Sequence, residues 1–400
     1  MAIDILQIRN TSREIVGYID AAKSIIWHRK YYTVGDFEIY VQATSANLSL
    51  LQKGYYVTRT DDDEIGIIEE ITVAFTVNDG YMITASGRFA KAILDRRIIY
   101  TLSGNTVTPT TISGKVEVAV RSLVNNNAIS CSFDSRRNIS ILGLAALKNL
   151  SPVIVDESGD PAEKQVATEN LMSYTDSVLQ EYKMSATMIL NDSNKKILYS
   201  VFMGSDRSAN NTSGNQAVIF SIEYDNLNSS TYDISDSDDR NAALIGGEGQ
   251  GVDRFYSLLR GTESGLQLRE MFVNASSINR KYQETYAEND ALTVVNTLTN
   301  VKYDKSNIIL TAEKEYTDAQ YAALLNQQGQ IELGKHIVTE TFSGDINPTA
   351  GQWVYGEDYF LGDLVTVQDN TIHKYVDTRI TEVTEVQDDN GYQINIVFGD

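Results

Sequence analysis

The chain has 400 residues, a formal net charge of −21 and 42% hydrophobic residues, which fits a globular protein of two to four domains. Such acidity argues against a nucleic-acid-binding surface, which needs lysine and arginine to displace counterions, and no apolar run approaches the ~20 residues of a membrane helix. Cys131 is the sole cysteine, which excludes an internal disulfide framework and a Cys-rich zinc site and reads as a small buried hydrophobe.

The N-terminus opens with Asp4 and no apolar stretch, so no signal peptide is expected and folding in a reducing cytoplasm is the simplest reading. "IDILQI" alternates Ile3 and Ile5 against Asp4 and Leu6. "SIIWHRKYYTVGDFEIYVQAT" (24–44) then sets an aromatic-basic cluster before strict alternation, with Phe37, Ile39 and Val41 on one face. In "EIGIIEEITVAFTVNDGYMITASG" Ile65, Ile67, Ile71, Val73, Phe75 and Val77 share a face, and Asn78-Asp79-Gly80 is a hairpin signal. "GRFAKAILDRR" spaces Phe89/Ile93 and Ala90/Leu94 as a short helix.

The middle is mixed. Val116, Val120, Leu123 and Val124 predict a helix that the following asparagines stop. Leu171, Tyr174, Val178 and Tyr182 predict a second. "NLNSSTYDISDSDDRNAALIGGEGQG" reads as mostly loop. Thr317-Asp318 begins the last helix, carrying Tyr321, Leu324 and Leu325. The final segment returns to strands, with a bulge or a strand end expected where Ile380, Val383 and Val386 break alternation. "KKILYSVFM" and "QAVIFSIEY" are expected to pair with those C-terminal strands. No repeat or low-complexity tract is visible.

Chemistry is hard to find. His28, His336 and His373 show no zinc-helix spacing, and Gly-x-Ser-x-Gly is absent. The glycines of "IGGEGQGVDR" fit neither a dinucleotide fingerprint nor a P-loop, and "SGK" (113–115) fails as well. The acidic runs "TDDDE" (60–64) and "SDSDD" (235–239) lack the ligand pattern of a calcium loop and read as solvated. A glycosidase-type carboxylate pair leaves no sequence signature.

The order of "IIWHRKYYTVGDFEIYVQAT", "GIIEEI", "GYMITASGRFAKAILDRRII", "GGEGQGVDR", "LREMFVNAS", "YGEDYFLGDLVTV", "RITEV" and "GYQINIVFGD" resembles the siphovirus tail-hub family, related to the N-terminal hub of tail-associated lysins and to phage baseplate hubs. The resemblance implies an α+β chain with two β-barrel-like tube domains. These are 1–112, and 201–242 with 335–400; 113–200 and 243–334 form peripheral α/β regions. It implies a homotrimeric ring, pseudo-six-fold, that adapts a hexameric tube to a three-fold tip. The implied partners are the tail tube and distal tail proteins, tip or fibre proteins and the tape-measure protein, with DNA only in transit. No catalytic residue, metal or cofactor is implied. The matching framework positions are Trp27, Gly35, Phe37, Gly87, Arg88, Arg96, Arg97, Gly249, Arg254, Gly362, Asp363 and Arg379. Gly35 and Gly87 suit tight turns; Arg88 and Arg97 either bridge chains or form local ion pairs. Lysin-type relatives carry C-terminal extensions, whereas this chain ends at "NIVFGD" after its last predicted strand. A cell-wall hydrolase and a receptor-binding tip module are the alternatives. A conduit for DNA is expected to present a wall without a continuous basic stripe.

Overall fold

The computed structural model describes residues 3, 5–104, 106–155, 161–286, 301–304, 309–347 and 352–399; Asp4 and Asp400 lie outside them. The first strands are β1 (Leu6–Arg9), β2 (Ile15–Ile19), β3 (Ser24–Lys30), β4 (Asp36–Gln42), β5 (Tyr56–Arg59), β6 (Ile65–Ile67), β7 (Glu70–Thr76) and β8 (Gly80–Arg88), with α1 (Ser45–Leu50) before β5. They make two layers, β2-β1-β5-β6 over β3-β4-β8-β7. Alternation dictates their packing. Ile25, Trp27, Phe37, Ile39, Val41, Ile83 and Ala85 point to one side and meet Leu6, Ile8, Ile19 and Val57 of the covering layer. Gly80, at φ +75°, closes the expected β7–β8 hairpin. The apolar face predicted to run through β7 is only half buried. Ile65 and Ile67 are enclosed, but Val73, Phe75 and Val77 are 48%, 60% and 93% exposed, because β7 is a free edge that the covering layer does not reach.

A 3-10 helix (Ala90–Arg96) leads into an α/β lobe. Short pairings join β9 (Thr101–Ser103) to β10 (Thr106–Thr108) and β11 (Thr110–Ser113) to β13 (Glu163–Val166). The lobe's sheet runs β12 (Leu142–Leu144), β15 (Lys196–Phe202), β14 (Ser185–Asn191) and shares a core with α2 (Val116–Val124) and α3 (Leu171–Glu181). The asparagine run does not stop α2. It adds a wider turn, Asn125–Ile129, in which the Asn127 amide donates to the Leu123 carbonyl at 2.9 Å. "KKILYSVFM" is β15, and it belongs here rather than with the C-terminal strands. Its full length is hydrogen-bonded to β14, and Ile197, Tyr199 and Val201 fill the helical core.

The stretch read as loop after Asn226 contains two strands. β17 (Thr231–Ser235) and β18 (Ala242–Gly246) follow β16 (Ile219–Ser221); their polar flanks mask a short apolar alternation. β18 lies between β19 (Tyr256–Arg260) and β20 (Glu270–Asn274), packed by α4 (Asp318–Leu333). Thr317 caps α4 in a reciprocal box with Gln320. β21 (Lys281–Tyr286), β22 (Val301–Asp304) and β23 (Ile309–Glu315) form a separate small sheet.

The last strands are β24 (Thr339–Ile346), β25 (Leu364–Asp369), β26 (Lys374–Asp388) and β27 (Gly391–Gly399). β26 pairs first with β25, which joins β16 in parallel, and past Ile380 exchanges β25 for β3. Its register with β27 shifts between Ile380 and Glu382, the expected bulge, which bends a strand. Val218, Phe220, Val365 and Val367 face Phe342, Ile346, Ile394, Ile396 and Phe398 across this second core.

The β26–β3 pairing fuses the two halves into one path, β17-β24-β27-β26-β3-β4-β8-β7. Every neighbouring pair along it is antiparallel. The barrel-like expectation is corrected accordingly. Among the described residues neither half closes on itself; each is a two-layer sandwich, and both share this sheet.

Candidate functional site: a polar sheet face between two open edges

The side of the long sheet opposite Trp27 faces no apolar core. The registers place Asp36, Glu38, Glu70, Asp233, Asp345, Glu382 and Asp388 on it, against Lys30, Arg88 and Arg379. Between them lie mostly Ser, Thr, Asn and Gln, including Thr72, Thr84, Ser86, Ser343, Thr384, Gln393 and Asn395. The three cations are already engaged: Arg88 forks onto Glu69 at 2.9 and 3.0 Å, Lys30 lies 3.6 Å from Asp36, and Arg379 donates to the Gly362 carbonyl at 2.5 Å. His28 sits in the same rows, 2.8 Å from Glu382. An anionic polymer finds little here to hold it.

Among the described residues the path ends in β7 and β17, each paired on its inner side only. An exposed edge is a template for pairing with another chain. Both edges also leave apolar residues uncovered on the core side of the sheet. At β7 these are Val73, Phe75 and its cross-strand neighbour Tyr81, whose ring centroid is 5.0 Å from that of Phe75. At β17 it is Ile234, 60% exposed.

A buried charged seam holds the two halves together. Glu385 of β26 stands opposite Trp27 of β3 and is 1% exposed. It accepts from Arg59 at 2.9 and 3.2 Å, from Arg29 and from the Tyr392 hydroxyl at 2.8 Å. Asp62 Oδ2 accepts from the Trp27 indole at 2.8 Å and from Arg29 Nε at 3.1 Å. Burial pushes both carboxyls up, but Arg29 and Arg59 more than offset it and hold them below the usual carboxylate range. The run "TDDDE" is therefore not wholly solvated: Asp62 and Glu64 turn inward. No sequence motif marks Arg29 or Glu385. The available signal was a charge on the apolar side of an alternating strand, two residues from Trp27 and two from Val383.

The framework positions fall into separate groups. Trp27 and Phe37 pack with Phe89, ring centroids 4.8 to 6.3 Å apart. Gly35 lies beside them in the β3–β4 connection, where a Cβ would come within 2.2 Å of the His28 carbonyl oxygen. Gly87 is not in a turn; it is inside β8 opposite Phe37, and a Cβ there would sit 1.8 Å from the Ile67 carbonyl oxygen. Arg88 makes local ion pairs with Glu69 and Asp95, and Arg97 donates to the Arg137 and Arg96 carbonyls. Gly362, Asp363 and Arg379 gather around Tyr31: Arg379 donates to the Gly362 carbonyl, and Asp363 accepts from Arg207 and the Ser205 amide. Gly249 and Arg254 lie in the β18–β19 loop, where the guanidinium holds the Gly246 and Gly247 carbonyls. Among the described residues no cluster of His, Cys, Asp and Glu is arranged to hold a metal ion.

The fold that carries this sheet is similar to that of phage tail proteins. The chain is similar to the 43 kDa tail protein of prophage MuSo2 from Shewanella oneidensis, with TM-score 0.51 and 12% identity over 98% of each chain. It is also similar to the tail protein from Neisseria meningitidis MC58, with TM-score 0.50 and 11% identity over 99% of this chain and 96% of that one. No curated protein sequence matches it. Residues 5–400 match the family described as Siphovirus ReqiPepy6 Gp37-like protein. The chain belongs to that family of siphovirus tail proteins and is a structural component of the virion.

Proposed function

We propose that this tail protein is the hub at the tail tip, three copies closing into a ring that joins the six-fold tube to a three-fold tip and forms part of the DNA-ejection conduit. Each chain supplies two tube domains, the strands up to β8 and those from β16 to β17 with β24 to β27, while the α/β lobe and the β18–β23 region stand outside. The observation that carries the reading is the eight-stranded antiparallel path with both ends open. An even number of alternating strands leaves β7 and β17 running in opposite directions. β7 of one copy therefore meets β17 of the next without breaking the antiparallel pattern. Such head-to-tail contacts make rings when the rotation closes. Joining the edges also brings Val73, Phe75 and Tyr81 of one copy toward Ile234 of the next, covering apolar surface that neither covers alone. The two four-stranded halves of each path supply the six-fold likeness.

The polar face then lines the bore. Phosphates passing it meet carboxylates and hydroxyls, and exposed like charges are screened beyond ~8 Å at physiological salt, so the wall needs only to avoid attraction. The neighbours in this reading are the tail tube, distal tail, tip or fibre and tape-measure proteins, met during assembly in the host cytoplasm. DNA is a passenger.

Negative-stain images and light scattering test it. A three-fold ring of three times 44.4 kDa, about 133 kDa, is expected, alone or with tail partners present. The double variant Val73→Lys/Phe75→Lys is expected to keep its circular dichroism and remain monomeric. A stable wild-type monomer in the presence of tail partners, or a ring that persists in the double variant, overturns the proposal.

A further inference from the structure

The Asp62–Glu64 turn belongs to neither the polar face nor the edges, yet three bodies meet at it. It leads from β5 into β6, it touches β3 and β26 through Arg29, and Glu64 forms an isolated antiparallel bridge with Ile189 of β14. Charges there do not balance. Arg29 and Arg59 face three enclosed carboxylates, Asp62, Glu64 and Glu385, which are 15%, 19% and 1% exposed. Asp62 and Glu385 take direct guanidinium hydrogen bonds. Glu64 does not: its Oε2 stays 3.7 Å from Arg29 Nε, while Oε1 accepts from the Thr187 hydroxyl at 3.2 Å.

The other charges facing this place have partners or water of their own. Lys91 of the 3-10 helix is 3.1 Å from Asp176 of α3 and donates to the Thr33 carbonyl at 3.0 Å. Arg59 also holds Asp61. Across the neighbouring cleft Lys30 pairs with Asp36, Asp363 with Arg207, Lys148 lies over the Phe202 ring, and Asp63 is exposed. The Tyr355 phenol, under Arg29, keeps its proton because burial pushes it upward. A third carboxylate without its own cation, two residues from the ionised Asp62, is where a proton settles. Burial and the charge of Asp62 push Glu64 up to about 7.

We propose that Glu64 is a proton-operated clasp between the first sandwich and the α/β lobe, closed while it holds a proton and loosened when it ionises. The element it holds is β14, whose other side is already occupied by β15, and the space it guards is a cleft of about 740 Å³ between the sandwich and the lobe. Loosening separates Glu64 from Ile189 and Thr187 and widens the cleft. The proposal is independent of the ring.

The direction follows from linkage. A carboxyl whose value is raised by closure stabilises the closed form fully below its free value of 4.5, and that stabilisation is lost as pH rises through about 7. One proton is involved, so opening grows about tenfold per pH unit between those limits and is level above them. Asp62 and Glu385 act in the opposite sense and weaken the seam only in more acidic solution.

Hydrogen exchange on the intact chain, read by mass spectrometry as protection factors corrected for intrinsic rates, tests this between pH 5.5 and 8.5. Protection of the β14 amides that face the Asp62–Glu64 turn rather than β15, resolved residue by residue, is expected to fall about tenfold per unit up to pH ~7 and then level. Glu64→Gln is expected to remain protected and flat across the range. Thr187→Val removes a donor that favours the ionised carboxyl, so its profile shifts to higher pH. A flat wild-type profile, or a Glu64→Gln profile with the wild-type slope, overturns the proposal. Should Glu64→Gln fail to fold, an unshifted profile in Thr187→Val overturns it instead.

Discussion

Replacing Glu385 by glutamine tests whether the seam holds the two halves together. The substitution keeps the size of the side chain but turns an acceptor of four hydrogen bonds into an amide that also presents donors to Arg29 and Arg59. Removing one partner of a buried ion pair costs about 3–5 kcal/mol, because the remaining charge is left without compensation. Asp62 and Asp61 still engage the two guanidinium groups, so the lower end, about 3 kcal/mol, is expected. The assay is urea unfolding followed by indole fluorescence. The chain has two tryptophans, and a Trp353→Phe background leaves Trp27, which is bonded to Asp62 in the seam itself. A lower midpoint with an unchanged slope is the expected signature. Because Glu385 is held below its ordinary value, its stabilisation is present above pH ~4.5 and disappears as the solution becomes more acidic. The difference between parent and variant should therefore shrink in acid. A variant within about 1 kcal/mol of its parent at neutral pH would show that the pair behaves like a solvent-screened surface bridge, and the reasoning would fail.

Gly87→Ala is expected to destabilise the fold by about 3 kcal/mol, the upper end for overpacking, read as a lower urea midpoint at unchanged slope, since the clashing atom is a backbone carbonyl that cannot rotate away; an unchanged midpoint would show that β6 and β8 separate freely. Thr72→Lys/Thr84→Lys, on the polar face, should leave folding and assembly intact but slow DNA release from particles, with the delay relieved by added salt. Unaltered release kinetics at low salt would remove that face from the conduit.

Several elements were legible because local chemistry and tertiary packing agree in them. The alternation of Phe37, Ile39 and Val41 is the inner face of β4. Thr317 caps the last helix as its side chain predicts, and the irregular spacing around Ile380 is a bulge. Elsewhere a local reading went astray because burial depends on what lies opposite. Val73 and Phe75 have the pattern of a buried strand face, but the layer that covers their neighbours ends before β7. β17 was hidden among Ser and Asp because an edge strand buries little of its own surface, and β15 was given to the wrong sheet because alternation names no partner. Gly87 shows the same limit: a missing side chain is visible in the sequence, while the reason, a carbonyl from β6, is not.

The sequence alone determined the acidity, the alternating strands and the order of segments that places the chain among siphovirus tail proteins. These are properties of residue type and spacing. Tertiary structure alone decided that β26 leaves β25 for β3, and so made one sheet of two halves with opposed open edges. It also decided that Arg29, Arg59, Asp62, Glu64 and Glu385 share one enclosed site. Glu385 lies 326 positions from Arg59 in the chain, and whether a charge is solvated or buried depends on the groups that folding brings around it rather than on its neighbours in sequence.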